Sequence, residues 1–202
     1  MMKKIAFLAS GRGSNFQAVI DKVNDGTIKA EIVALITDKP DAYAIKRAGE
    51  NNIPVVTVDF KSFSSRDDYN SALLEAMKEI NADLYVLAGY MRLLDPDTAA
   101  RFSGRMINIH PALLPSFKGL NAQRQAIEYG VRISGCTVHF VDEGMDSGAI
   151  ILQHPVPVLD SDNEDTLAER ILKEEHSALP KAVQLFCEDK ISISNRRVII
   201  KE

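Results

Sequence analysis

Two polar side chains, those of Asn108 and His110, interrupt an otherwise apolar run that begins at Met106 and ends at Pro111. Such a run is typical of a buried strand, and side chains two positions apart on a strand point to the same face. Pro111 restricts His110 to an extended backbone, so an amide and an imidazole should lie side by side where the strand meets a loop. An Asn amide can donate to an oxygen that gains negative charge, and a His can exchange a proton near neutral pH. The pair therefore fits attack on a carbonyl-like carbon, although two polar residues that only cap a strand end would show the same spacing.

A glycine-rich turn near the start of the chain is a second candidate site. It comprises residues 10–15, follows an apolar run at 4–9 and precedes a helix with apolar residues at helical spacing. Gly11 and Gly13 permit a tight turn, and Ser14 and Asn15 favour the start of a helix. The unpaired N–H groups and the helix dipole there can hold an anion such as phosphate. The turn matches neither the GxGxxG pattern nor a P-loop, so a plain capped turn between strand and helix is the alternative.

Short apolar strands alternate with helices through the first half of the chain. Strands are expected at 4–9, 32–37, 54–58 and 84–88, and helices after residue 15, over 41–51 and from 64–68 onward. This alternation predicts a parallel sheet covered by helices on both faces. Ligands bind such sheets beyond the carboxyl ends of the strands. The glycine-rich turn, the loop 89–94 and the segment after His110 should therefore meet at one edge.

The pattern changes after His110. A helix is expected at 121–129, a strand with alternating pattern at 131–142, and another strand at 150–158 whose prolines indicate a sheet edge. An acidic, glycine-bearing segment, 142–148, joins these two strands. For His139, within the first of them, a backbone partner and a structural role are expected.

The last long helix should begin after the capping residues 160–165. Glu175 lies on or near its apolar stripe, and an acid there needs a cationic partner, either a Lys or Arg of the protein or a substrate ammonium. Pro180 should kink or break this helix because it lacks a backbone N–H. A short strand or ordered tail is expected at 198–200.

Composition limits the possible classes of protein. The 202 residues are 46% hydrophobic and 26% charged, as in ordinary soluble domains, and fit a single domain. The formal net charge is −4 with scattered Lys and Arg, which argues against a nucleic-acid partner. Cys136 and Cys187 have no metal-ligand spacing, so reduced thiols and no metal are expected. No secretory signal or membrane-spanning run is found, so a cytoplasmic location is expected.

Taken together, the motifs of nearly the whole chain resemble those of the phosphoribosylglycinamide formyltransferases, folate-dependent enzymes of purine synthesis. The motifs that carry this resemblance occur in matching order and are residues 10–15 (SGRGSN), 87–92 (LAGYMR), 108–115 (NIHPALLP), 138–141 (VHFV) and 146–148 (DSG). One departure is Ala112, where relatives often carry Ser. The resemblance implies an α/β, Rossmann-like formyltransferase fold with a mostly parallel central sheet, helices on both faces and an antiparallel C-terminal part. One domain would span 1–202, with a phosphate-binding half at 1–110 and a folate-site and C-terminal part at 111–202.

The resemblance also implies roles for individual residues. The nucleotide substrate, glycinamide ribonucleotide, would be held by its phosphate at the glycine-rich turn and by its amine at the acid on the last helix. The cosubstrate 10-formyltetrahydrofolate would lie against the loop after the fourth strand, with the segment 142–146 on its other side and an Arg at its glutamate tail. The implied nucleotide residues are Gly13, Ser14, Asn15 and Glu175; the implied folate residues are Arg66, Met91, Arg92, Leu93, Leu94 and Asn108; the implied catalytic residues are Asn108, His110 and Asp146.

The implied chemistry agrees with the first interpretation of Asn108 and His110. The substrate amine attacks the formyl carbon, Asn108 and protonated His110 stabilise the resulting oxyanion, and Asp146 keeps His110 cationic. His110 then supplies a proton to the leaving N10 nitrogen, directly or through water. No metal is required.

Three alternatives stay open. A methionyl-tRNA formyltransferase would need a further tRNA-binding region and a basic face, and a formyltetrahydrofolate hydrolase would carry a further N-terminal domain. A non-catalytic nucleotide-binding module would tolerate loss of Asn108 and His110. Neither nucleic acid nor membrane is expected as a partner, and the sequence does not distinguish a monomer from a homodimer.

Overall fold

The computed structural model describes residues 2–201. Within them, nine strands form one sheet and six α-helices surround it, with a short 3₁₀ turn at Phe60–Ser62. The strands are β1 (Lys3–Leu8), β2 (Ala30–Thr37), β3 (Val55–Thr57), β4 (Leu84–Leu87), β5 (Met106–His110), β6 (Ile133–Phe140), β7 (Ile150–Pro157), β8 (Ile191–Ser194) and β9 (Arg197–Ile200). The helices are α1 (Ser14–Asn24), α2 (Tyr43–Glu50), α3 (Arg66–Ile80), α4 (Pro96–Arg101), α5 (Ala122–Tyr129) and α6 (Glu164–Cys187).

The sheet is parallel in its first half and antiparallel after that. Its strand order is β3-β2-β1-β4-β5-β6-β7-β9-β8. The strands β1 to β5 run parallel, whereas β6 is antiparallel to both β5 and β7. The hairpin β8–β9 meets β7 only at the pair Ile150 and Arg197, so the half of β7 that carries Pro155 and Pro157 forms an edge, as predicted. The predicted mixed α/β architecture is confirmed.

Alternate residues of β1 belong to two different cores. Ile5 and Phe7 pack into a cluster with buried side chains of α1 and α6. Ala6 and Leu8 pack into a second cluster with side chains of α3. Helices therefore cover both faces of the sheet, which is why its central strands are apolar at nearly every position.

The same alternation places the polar pair of β5. Met106 joins the α3-side cluster, whereas Ile107 and Ile109 join the other. Asn108 and His110 thus share the α3 side of the sheet, at the carboxyl end of β5. The prediction that both side chains point to one face is confirmed.

The helix α6 contradicts one of the two outcomes predicted for Pro180, a break in the helix. The helix continues through this proline to Cys187 rather than ending at it. Pro180 is buried together with Ala178, Leu179 and Val183, whose packing on the sheet holds the helix despite the missing backbone N–H. Tertiary contact here outweighs the local cost of proline.

The helix α4 was not predicted. Asp95 caps it by accepting a hydrogen bond from the Thr98 N–H, and Pro96 occupies its first turn. These start signals are present in the sequence, but six residues are too few to show a helical period. Separately, none of the helices within residues 2–201 has the length and apolar character required to cross a membrane.

Candidate active site

A cleft of about 620 Å³ opens at the carboxyl ends of β4 and β5. The loop 89–94 forms one wall, and the segments 119–121 and 142–146 form the other. Seven of the residues predicted to act on the formyl group or to hold the folate line this cleft. They are Met91, Arg92, Leu93, Leu94, Asn108, His110 and Asp146. The cleft therefore collects residues from three separate parts of the chain, as expected for a parallel sheet.

His110 and Asp146 lie together inside this cleft. The His110 Nδ1 atom is 3.4 Å from Asp146 Oδ2, and the imidazole is only 4% exposed. Its Nε2 atom donates to the Phe117 carbonyl oxygen at 2.8 Å, so Nε2 carries a proton. If the ring were neutral, the lone pair of Nδ1 would face the Asp146 carboxylate, which is repulsive. In the imidazolium, the positively charged ring directs its Nδ1–H at the carboxylate, which is attractive. The geometry thus suits a protonated His110.

The Asp146 carboxylate is fixed by its backbone and by a second donor. Asp146 itself has a positive φ of 48°, a conformation uncommon outside glycine and tolerated best by Asp and Asn. Its Oδ2 atom accepts a hydrogen bond of 2.8 Å from the Gly119 N–H. The same carboxylate therefore joins the two segments that face the 89–94 loop.

Asn108 is oriented by a residue of the neighbouring strand. In the β5–β6 ladder Asn108 lies directly opposite His139, with 3.3 Å between Asn108 Nδ2 and His139 Nε2. His139 Nδ1 donates to the Phe140 carbonyl oxygen at 2.8 Å, which leaves Nε2 as the acceptor. Burial lowers the pKa of His139 below its usual 6.5 and favours this neutral form. The Asn108 amide therefore donates one N–H to His139 and keeps the other for the cleft.

His139 has contacts at the candidate site that sequence reasoning missed. Its predicted backbone partner exists, namely the Phe140 carbonyl, but its ring also lines the cleft and lies 3.7 Å from Asp146 Oδ1. The alternation of β6 placed His139 on one face without indicating which strand lay beside it. Only the register of β5 against β6 reveals its contact with Asn108.

The glycine-rich turn has the geometry of an anion site. Gly13 caps α1 with φ of 65°, and a Cβ atom there would lie 2.8 Å from Ala44 Cβ. No side chain caps the N-terminus of α1, so the backbone donors of its first turn stay available for an anion. Ser14 and Asn15 lie within this first turn and not before it.

The structure brings Glu175 to the same place, although the two segments are 160 residues apart in sequence. Asn15 Nδ2 donates to Glu175 Oε2 at 2.7 Å, and Glu175 is 7% exposed. Burial raises the pKa of Glu175. The alternative of a Lys or Arg partner from the protein is wrong within residues 2–201, where the partner of this carboxylate is the neutral Asn15 amide.

Ser10 joins the glycine-rich turn to the wall of the cleft. Its N–H donates to the Gly89 carbonyl at 3.1 Å, and its hydroxyl accepts from the Met91 N–H at 2.9 Å. The candidate anion site and the cleft are therefore adjacent and share a rigid border.

The two predicted arginines occupy different positions. Arg66 is exposed and donates to the Leu93 carbonyl at 3.3 Å, which places it at the outer edge of the 89–94 loop. Arg92 lines the cleft, but its Nε atom pairs with Asp38 Oδ2 at 2.8 Å.

Comparison with known proteins decides the family. The profile described as formyl transferase matches residues 3–183. The chain belongs to the formyl transferase family. Phosphoribosylglycinamide formyltransferase of Haemophilus influenzae is 40% identical over 194 residues, which cover 96% of this chain and 92% of that protein.

Two further relatives within this family also carry names from purine synthesis. The trifunctional purine biosynthetic protein adenosine-3 of Drosophila melanogaster is 45% identical over 194 residues, and the matched region is 95% of this chain but 14% of that longer protein. The crystal structure of glycinamide ribonucleotide transformylase 1 from Symbiobacterium toebii superposes with a TM-score of 0.96 at 45% identity, covering 100% of this chain and 95% of that one. The Symbiobacterium toebii protein thus shares the fold over the whole described sheet.

Proposed function

We propose that this protein transfers the formyl group of 10-formyltetrahydrofolate to the glycine amine of glycinamide ribonucleotide, within purine synthesis. Membership of the family and the printed names of its relatives support this reaction. The observation that carries it is the convergence of Asn108, His110 and Asp146 on one cleft beside a candidate phosphate site.

We assign the two ligands to the two adjoining regions. The phosphate of the nucleotide lies at the N-terminus of α1, against Gly13, Ser14 and Asn15. Its amine lies towards Glu175, whose buried carboxylate suits an ammonium. Since Glu175 lies in the second half of the chain, the nucleotide site draws on both halves of the proposed domain.

The folate occupies the cleft. Its flat pterin ring packs between the apolar side chains of Met91, Leu93 and Leu94 and the opposite wall at 142–146. Arg66, at the outer edge of the loop, meets the glutamate tail, since a guanidinium suits a carboxylate.

Formyl transfer then proceeds through a tetrahedral intermediate. The unprotonated amine forms a bond to the formyl carbon, and the carbonyl electron pair moves to oxygen. The free N–H of Asn108 donates to this oxyanion, and the positive charge of protonated His110, which is paired with Asp146, stabilises it. As the bond from carbon to N10 breaks, N10 takes a proton from His110, directly or through water, and His110 regains the proton lost by the attacking nitrogen.

The reaction is tested by mixing the purified protein with glycinamide ribonucleotide and a 10-formyl folate and following the deformylated folate by absorbance. The signal should rise only when both compounds are present. A signal of equal rate without the nucleotide would identify a hydrolase, and no signal in the complete mixture would reject formyl transfer. The monomeric or dimeric state and the cytoplasmic location stay predictions.

A further inference from the structure

The guanidinium of Arg92 is held on two sides by other residues. Its Nε atom donates to Asp38 Oδ2 at 2.8 Å, and its Cζ atom lies 3.5 Å from the centroid of the Phe60 ring. The Asp38 side chain is 0% exposed and that of Arg92 is 32% exposed. An ion pair and a cation–π contact thus fix one planar group; we call these three residues the Arg92 clamp.

The clamp crosses the carboxyl edge of the sheet. Asp38 follows β2 and Arg92 lies in the loop after β4, while β1 runs between these two strands. Phe60 follows β3 and packs edge-on against Tyr69 of α3, with 5.0 Å between ring centroids. The clamp therefore attaches the 89–94 loop to three elements that do not line the cleft.

The burial of Asp38 requires an explanation. Its Oδ1 atom is buried and has no hydrogen-bond partner within the described residues. A buried carboxylate with a partner at only one of its two oxygens lowers the free energy of unfolding, because the loss of its hydration is not fully compensated. Within residues 2–201, the ion-pair partner of Asp38 is Arg92. The free-energy cost of burying Asp38 therefore belongs to the contact that fixes the 89–94 loop.

The neighbours of Arg92 show what the clamp positions. Met91 and Leu93, on either side of it, are 63% and 55% exposed and line the cleft. The loop is also held on either side of these residues. The Tyr90 hydroxyl contacts that of Tyr69, the Met91 N–H donates to Ser10, and Leu94 is buried. The exposed Arg66 donates to the Leu93 carbonyl at 3.3 Å. The Arg92 clamp holds the loop at the residue between Met91 and Leu93, so its loss should loosen these two exposed side chains first.

We propose that the Arg92 clamp positions the apolar wall of the folate cleft, and that Arg92 serves folate binding by fixing Met91 and Leu93 and not by contacting the cosubstrate with its charge. This inference rests on the proposed function and specifies how the cleft is built. Asp38 and Phe60 are then positioning residues for the cosubstrate, although neither lines the cleft.

The substitution Asp38→Asn separates this role from direct contact. It keeps the shape of the side chain and leaves Arg92 charged but less firmly held. If Arg92 contacts the folate through its charge, its release from Asp38 should leave binding unchanged or tighter. If the clamp positions the wall, the KM for the formyl folate should rise on the order of tenfold, as expected when a hydrogen bond to a charged group is weakened. The kcat at saturation and the KM for the nucleotide should stay near those of the unaltered protein.

A second buried Asp that pairs with a partly exposed Arg provides a control. Asp162 pairs with Arg170 at 2.7 Å, with side-chain exposures of 2% and 26%, and lies outside the cleft. Asp162→Asn should lower the melting temperature as Asp38→Asn does, yet leave the KM for the folate unchanged. If Asp38→Asn and Asp162→Asn changed the KM for the folate equally, the clamp would contribute only to general stability, and the proposal would be overturned.

Calorimetric titration with 5,8-dideazafolate, which transfers no formyl group, measures the same effect without turnover. Weaker binding to Asp38→Asn alone supports the clamp; unchanged or tighter binding overturns it. If Asp38→Asn does not fold, Phe60→Leu removes the stacked ring and keeps the ion pair, and it should weaken binding in the same direction.

An unaltered protein that transfers formyl groups while both variants bind normally contradicts only the clamp. An unaltered protein that neither binds the folate nor turns over contradicts the proposed function and the clamp with it.

Discussion

Asp146 lies between two imidazoles, 3.4 Å from His110 and 3.7 Å from His139. The two rings differ in the proton they carry. His110 meets acceptors at both nitrogens and suits the charged form, whereas burial lowers the pKa of His139 and keeps it neutral. Through these contacts Asp146 and Asn108 each hold a defined orientation.

Replacing Asp146 should remove most turnover while the fold persists. In Asp146→Asn the carboxylate that favours protonated His110 is lost, and kcat should fall on the order of 10²–10³-fold, as when an oxyanion donor is removed. The measurement is kcat with both substrates saturating, together with the melting temperature. Glu143→Gln removes the same charge from the same segment at an exposed position and should leave kcat near normal. Near-normal kcat in Asp146→Asn at neutral pH would contradict its role.

His139 makes folding stability depend on pH in a defined direction. As the pH falls below 6.5, the unfolded chain takes up a proton at this residue that the folded protein does not, so the free energy of unfolding falls. In His139→Gln this dependence should be weaker between pH 6.5 and 5, as measured by urea unfolding. Its kcat should also fall, because Asn108 loses its partner.

His176 provides the control for that variant. Burial lowers its pKa too, so His176→Gln should weaken the pH dependence similarly. It lies outside the cleft, and kcat should therefore be unaffected. A fall in kcat of equal size in both variants would show that His139 acts only through stability.

At the scale of single elements, the glycine-rich turn depends on the helix beside it. The Gly11 carbonyl accepts from the Ala44 N–H at 3.0 Å, and the Arg12 carbonyl accepts from Arg47 Nε at 2.8 Å. Two carbonyl groups of the turn thus accept hydrogen bonds from α2, and these bonds fix the turn. The N–H groups at the start of α1 take no part in them and can bind the anion.

The close approach of Gly13 to α2 can be tested with a matched pair of glycines. Gly13 and Gly26 both have positive φ, 65° and 80°, but only at Gly13 would a Cβ meet another residue, at 2.8 Å. Gly26→Ala should cost about 1 kcal/mol for the backbone conformation, and Gly13→Ala a further 1–3 kcal/mol or so from overpacking. Only Gly13→Ala should raise the KM for the nucleotide. Equal losses of unfolding free energy in the two variants would contradict the contact with Ala44.

Across the whole molecule, sequence patterns predicted the elements better than the contacts between them. The apolar runs of β1 and β5 identified both strands, because burial on both sides governs those residues. The spacing of Asn108 and His110 identified the face of β5 that they share. The continuation of α6 through Pro180 was missed because packing on the sheet outweighs a local penalty. The pairs Asn108–His139 and Arg92–Asp38 were missed because register and strand order decide them, and neither can be read from the local sequence.

The contact between Asn15 and Glu175 joins α1 to α6, and the burial of the Glu175 carboxylate there has a cost in stability. Burial raises the pKa of Glu175 above 4.5, so its contribution to stability is present below pH 4.5 and is lost as the pH rises through the folded pKa. Glu175→Gln keeps an acceptor for Asn15 and should therefore be more stable than the unaltered protein at pH 8, with the difference disappearing towards pH 4.5. Its KM for the nucleotide should rise on the order of tenfold.

Urea unfolding at both pH values and steady-state kinetics measure these two effects. Glu169→Gln, at an exposed position of the same helix, should change neither. A variant Glu175→Gln that is less stable at pH 8 and binds the nucleotide normally would show that the carboxylate serves the fold and not the substrate.

The proposed function requires formyl transfer to an amine at the cleft that holds Asn108, His110 and Asp146. The most direct measurement follows an isotopically labelled formyl group from the folate by mass spectrometry, in the presence of glycinamide ribonucleotide. We expect the label in formylglycinamide ribonucleotide, in amounts equal to the folate consumed. Label recovered as free formate, or retained on the folate, would contradict the account.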